Sequence, residues 1–111
     1  MSREEKKLLQ DILTSINNIY EIRKPIRNYE EYRKSITYSS AIERQLAMIG
    51  EAVVQLRNIK SSVEIENSRQ IINLRNRLIH SYDSLNSELV WGIVLRHIPK
   101  LKKEVKELLK K

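Results

Sequence analysis

Cysteine and phenylalanine are absent from this chain, and glycine and proline occur only twice each. Without thiols there can be no disulfide, thiolate nucleophile or cysteine zinc site, and a cytoplasmic setting is expected. So few glycines and prolines leave no turn residues for a sheet of regular hairpins. Leu, Ile, Lys, Arg and Glu recur throughout instead, which is the composition of a helical bundle. No apolar run approaches the roughly 20 residues needed to cross a bilayer, so no membrane association is expected. The opening Met1-Ser2-Arg3-Glu4-Glu5-Lys6-Lys7 leads directly into a periodic segment and lacks the apolar stretch of a signal peptide. At 111 residues the chain is expected to be one domain over 1–111, with a modest core that a partner would help.

What is plentiful is positive charge. There are 21 Lys and Arg against 14 Asp and Glu, a net +7. A basic surface favours polyanions, which for so small a helical protein points only mildly to nucleic acid. Much of the excess sits in Lys100, Lys102, Lys103, Lys106, Lys110 and Lys111. Cations there also suit a helix C-terminus, and such a run reads first as a solvated face.

Apolar spacing predicts four helices in an all-α, up-and-down bundle of four to five helices. The first runs from Ser2 to Ile22 on Leu9, Ile12, Leu13, Ile16, Ile19 and Tyr20, opened by a Ser2–Glu5 capping box and ended before Pro25. A polar, tyrosine-rich stretch from Arg27 to Tyr38 has no clear period. The second helix covers Ser39 to Asn58, and its Ile42, Leu46, Ile49, Val53 and Leu56 form a narrow seam of coiled-coil type. Gly50 interrupts it at a cost of about 1 kcal/mol relative to Ala, which either a close approach of another helix or simple tolerance accounts for. After a loop over Lys60–Glu66, an Asn67–Gln70 capping box opens a third helix on Ile71, Ile72, Leu74, Leu78 and Ile79, ending near His80-Ser81-Tyr82. Asn86 caps a fourth helix carrying Leu89, Val90, Ile93, Val94, Ile98, Leu101, Val105 and Leu108. Pro99 inside it predicts a kink near Leu95 rather than a break.

The third helix carries the chemistry. Arg75 offers a permanent planar fork of donors suited to phosphate oxygens, and His80 an imidazole suited to proton transfer near neutrality. No metal-ligand set competes for this reading, and no cofactor is expected. Asn76 lies four residues before His80, close enough for its amide to fix the imidazole tautomer. Arg75 and Tyr82, seven apart, share a face if the helix continues. Arg75 and His80, five apart, are separated by roughly 140° around the axis. One helix therefore sets cation and imidazole on flanking sides, and a second copy across a two-fold axis would bring both to one scissile bond. Such a cleft suits metal-independent phosphodiester cleavage in RNA, with His80 as acid and base and Arg75 on the non-bridging oxygens. The plainer reading is a chance Arg and His in a basic helical protein. Arg69 and Arg77 read as solvent-facing, His97 as structural or exposed, and Trp91 and Tyr20 as core or interface.

The segment Leu74-Arg75-Asn76-Arg77-Leu78-Ile79-His80-Ser81-Tyr82 resembles the signature of the HEPN superfamily. Its Arg-x4-His-x-Tyr form is that of the HepT branch. Ala41-Ile42-Glu43-Arg44 and Ile49-Gly50-Glu51-Ala52 resemble that branch's second helix. Leu89-Val90-Trp91 and Ile98-Pro99-Lys100-Leu101 resemble its last helix, and Asp11-Ile12 its first. The resemblance implies a helical homodimer, a metal-independent ribonuclease acting as a toxin on RNA, and a cognate nucleotidyltransferase antitoxin of the MntA kind. It further implies that Arg75 and His80 are catalytic, that Asn76 supports the site, and that Tyr82 is the residue the antitoxin adenylylates. Ser81 departs from the glutamate common there, the turn after Tyr82 lacks a frequent glycine, and Ile59–Asn67 is unusually polar. None of these touches the motif. Two other readings stay open from the sequence: a non-catalytic helical subunit that docks on a nucleotidyltransferase, and a plain helical interaction module.

Overall fold

The seam read in the second predicted helix is the spine of the molecule. The computed structural model describes residues 1–80 and 85–111. Within them Ile42, Leu46, Ile49, Val53 and Leu56 are all buried along one helix, α3 (Ile36–Asn58). Facing them are Leu9, Ile12, Ile16 and Ile19 of α1 (Arg3–Arg23), each fully enclosed. Burying one such side chain contributes about 1.5–3 kcal/mol, so this double row outweighs any surface ion pair. The two helices run antiparallel. Asn18 Nδ2 donates to Gln45 Oε1 at 3.3 Å towards one end. At the other, Ser61 Oγ, just past α3, donates to Glu5 Oε2 at 2.5 Å. Glu5 also closes the expected capping box with Ser2, its carboxylate accepting the Ser2 N–H at 2.8 Å.

Two elements differ from the sequence-based expectation. The stretch Arg27–Tyr38 contains a short helix, α2 (Tyr29–Lys34), capped by Asn28, whose side chain accepts the Glu31 N–H at 3.0 Å. Acids in its first turn and bases in its last suit the helix dipole. Tyr32 anchors it, fully buried and stacked on Trp91 with ring centroids 5.2 Å apart. Burial holds the Tyr32 phenol well above the usual tyrosine ionisation range.

The last predicted helix is two helices, α5 (Ser87–Arg96) and α6 (Ile98–Lys110), divided at His97 instead of kinked near Leu95. In one continuous helix Pro99 would lack a donor for the Leu95 carbonyl and its ring would clash there. Turning at His97 puts Pro99 in the first turn of α6, where its missing N–H costs nothing. The described residues thus form six helices and no strand, an all-α bundle. No helix among them is long and apolar enough to cross a membrane.

The remaining helix, α4 (Ser68–His80), packs on the outside of α3. The capping box expected at its start does not form. Asn67 adopts the left-handed conformation (φ 64°), and its carbonyl accepts the Ile71 N–H at 3.0 Å. No residue of α4 is fully buried: Ile71, Ile72, Leu74 and Leu78 pack partly against the core, and Ile79 is 48% exposed.

Candidate active site

α4 crowds against α3 at the one position where α3 has no side chain. A Cβ built on Gly50 would lie 2.2 Å from the Cβ of Arg75, 2.8 Å from its Cγ and 3.4 Å from the Ile71 carbonyl oxygen. Of the two accounts of this helix-interior glycine, close approach is the one the packing bears out.

The next residue on α3 completes the contact. Oε2 of Glu51 accepts hydrogen bonds from both Nε and Nη2 of Arg75, at 3.1 and 2.6 Å. On the other side Asn76 Oδ1 accepts from Nη1 at 2.9 Å. A guanidinium has five N–H groups. Three are engaged here, which leaves one on each terminal nitrogen without a partner among the described residues. The Arg75 and Glu51 side chains are 22% and 46% exposed. An ion pair in such a setting contributes at most about 1 kcal/mol to stability. Its larger effect is directional, because it fixes a side chain that otherwise has about 2 kcal/mol of rotamer freedom.

His80 is the last residue of α4 and is exposed. Its ring makes no hydrogen bond to another described residue. The expected bond from Asn76 to the imidazole is therefore corrected: the amide oxygen turns to Arg75, a charged donor that makes the stronger bond. Because α4 is continuous from Ser68 to His80, Arg75 and His80 keep the flanking arrangement, roughly 140° apart around the axis and about 7.5 Å along it. Tyr82 lies outside the described residues. Arg69 and Arg77 are exposed, as expected of solvent-facing positions, and His97 is exposed at the α5–α6 division. Among the described residues no three His, Asp or Glu side chains gather as metal ligands would. A groove of about 430 Å³ runs between α1 and α3, and Glu51 forms part of its wall beside the exposed Met48.

Glu51 is the site residue that sequence reasoning missed. Its signal was its place directly after the single helix-interior glycine of α3, a point where another helix could come within reach of a carboxylate.

An outer helix that presents an anchored arginine and an open imidazole defines this as an all-α domain built around an Arg–His helix. The family profile described as Ribonuclease HepT-like matches residues 12–108, and the chain belongs to that family, the one its motif segments resemble. A Methanocaldococcus jannaschii protein named "Putative RNase MJ1380" is 36% identical over 104 residues, covering 93% of this chain and 94% of its own length. "Putative RNase TTE0752" of Caldanaerobacter subterraneus subsp. tengcongensis is 34% identical over 88 residues, 76% of each chain. "Probable ribonuclease HepT" of Thermococcus cleftensis is 31% identical over 111 residues, covering 99% of this chain and 100% of its own. No solved structure gives a significant match to the chain.

Proposed function

We propose that this protein is a metal-independent endoribonuclease that cuts RNA as a homodimer. On this reading it is the toxin of a pair whose nucleotidyltransferase antitoxin silences it by adenylylating Tyr82. The observation that carries the proposal is a single helix on which Arg75 is anchored with two N–H groups unpartnered among the described residues, while His80 is exposed five residues on. Membership of the HepT-like ribonuclease family supports it. The half-exposed apolar positions of α4, Ile79 above all, support a second copy packed against this helix.

In the reaction, the imidazole of His80 from one copy takes the proton of a ribose 2′-hydroxyl. The freed oxygen attacks the adjacent phosphorus, and the bond from phosphorus to the 5′-oxygen breaks. The protonated His80 of the second copy gives its proton to that leaving oxygen. The two N–H groups left on Arg75 match the two non-bridging oxygens, where negative charge builds. The 2′-hydroxyl is consumed as the nucleophile, so DNA is no substrate. An adenylyl group on Tyr82, two residues beyond His80, would add charge and bulk where the RNA phosphate belongs.

The test uses the purified full chain, a labelled oligoribonucleotide and the matching DNA. Cleavage of RNA alone is expected, with His80→Ala slower by at least roughly 10²-fold. Undiminished cleavage by His80→Ala would refute the assignment. Light scattering on the same preparation is expected to report a dimer, and a fully active monomer would sink the composite site.

A further inference from the structure

Resting on that reading, we infer that Glu51 is the positioning residue for Arg75, aiming the guanidinium from a neighbouring helix without touching substrate. A carboxylate bonded to a catalytic cation can act in two opposite ways, as a support or as a competitor that must be displaced. The pattern of donors decides between them. Glu51 takes Nε–H and one N–H of Nη2 through a single oxygen, and Asn76 takes one N–H of Nη1. Among the described residues both terminal nitrogens therefore keep an unpartnered N–H, and a phosphodiester offers two non-bridging oxygens. Substrate can be bound with the Arg75–Glu51 pair intact.

The surroundings support the same conclusion. The Gly50 contact holds the stem of Arg75 against α3, at a distance that admits no Cβ. The stem is fixed by packing and the head by Glu51, so the whole side chain is defined before any ligand arrives. Removing Glu51 leaves the stem packed and the head held by the Asn76 bond alone. The Glu51 side chain is 46% exposed and lies on the rim of the α1–α3 groove, so its loss leaves no buried cavity.

The experiment measures kcat and KM on a fluorescein-labelled single-stranded oligoribonucleotide for Glu51→Ala, Glu51→Gln, Arg75→Ala and the double variant Glu51→Ala/Arg75→Ala. Glu51→Ala is expected to lower kcat roughly 10- to 100-fold, the cost of a misplaced catalytic group. Glu51→Gln should retain most of the rate, since its amide oxygen accepts the same two bonds. If Glu51 acts only through Arg75, adding Glu51→Ala to Arg75→Ala costs nothing further. Losses that add, or a Glu51→Ala enzyme as fast as wild type or faster, would overturn the inference. A second readout needs no substrate: the Arg75 Nε–H resonance should be slow to exchange in wild type and lost to exchange in Glu51→Ala. An unchanged resonance would also overturn it. A wild-type chain that leaves RNA intact defeats the ribonuclease reading itself, whereas a cleaving wild type matched by Glu51→Ala defeats this inference alone.

Discussion

Gly50→Ala tests the reasoning about the site without touching any group assigned a chemical role. The new Cβ would stand 2.2 Å from Arg75 Cβ. Carbon atoms in ordinary contact lie about 3.5–4.0 Å apart, so α4 must retreat by roughly 1.3–1.8 Å at this point. No rotamer change relieves the clash, because the obstacle is a Cβ fixed to the α4 backbone. Overpacking of this kind costs about 1–3 kcal/mol. Replacing a helix-interior Gly by Ala returns about 1 kcal/mol, so the net loss is about 0–2 kcal/mol. At about 4 °C per kcal/mol for a chain of this size, the thermal midpoint should fall by no more than about 8 °C. The effect on cleavage should be larger. A displacement of about 1 Å at a catalytic group can lower the rate roughly 10²-fold, and Arg75 moves with α4. Gly92→Ala is the matched control. The three atoms nearest its Cβ would be Nη2, Cζ and Nη1 of Arg96, at 2.5, 3.3 and 3.9 Å, the mobile end of an exposed side chain that can swing away. There the propensity gain of about 1 kcal/mol should prevail, leaving a midpoint equal to wild type or higher and an unchanged rate. Melting curves and initial rates for the two variants decide the matter. A Gly50→Ala protein as stable and as fast as Gly92→Ala would mean that the close approach does not position Arg75.

Two further outcomes are expected. The Glu5 carboxyl is held down at about 2, chiefly by the Ser61 hydroxyl and then by the Ser2 backbone N–H. Between pH 4.5 and about 2 the unfolded chain therefore binds a proton that the folded chain does not, and the stability Glu5 contributes above pH 4.5 is lost as the pH falls through that window. Ser61→Ala should flatten this part of the pH dependence of the urea midpoint, and an unchanged slope would refute the assignment. On the proposed reading, incubation with a cognate nucleotidyltransferase and ATP should raise the mass of the chain by adenylyl groups. The increase should vanish in Tyr82→Phe, and its persistence there would refute the choice of Tyr82.

Legibility followed the range of the interaction. The α3 seam was readable because burial on one face imposes a period, and all five of its residues are enclosed. α2 was not, since six residues cannot display a period and its one buried anchor, Tyr32, is held by Trp91, 59 positions away. Asn28 preceding two acids was the local trace it left. Pro99 announced a disturbance but not its form, because the chain could bend near Leu95 or restart after His97, and only restarting lets proline occupy a first turn. At the site, Arg75 and His80 could be placed from their spacing on one helix. Asn76 was sent to the wrong partner, because helical geometry allows it to reach His80 while the guanidinium beside it competes for the same oxygen. Glu51 lies 24 residues from Arg75, and no local rule joins them.

Mounting the proposed reactive pair on α4 also has a physical consequence for assembly. A helix of 13 residues has little stability of its own and depends on packing of its apolar face. Here that packing comes chiefly from α3, with no α4 residue fully buried. Covering Ile79 and its half-exposed neighbours with the α4 of a second copy would stabilise the helix by mass action in the same step that brings the second His80 to the scissile bond. On the proposed reading, order in α4 and a complete pair of proton-transfer groups are therefore not separate requirements. A chain too dilute to dimerise would lack the second imidazole, and the helix that carries the first would be less firmly held.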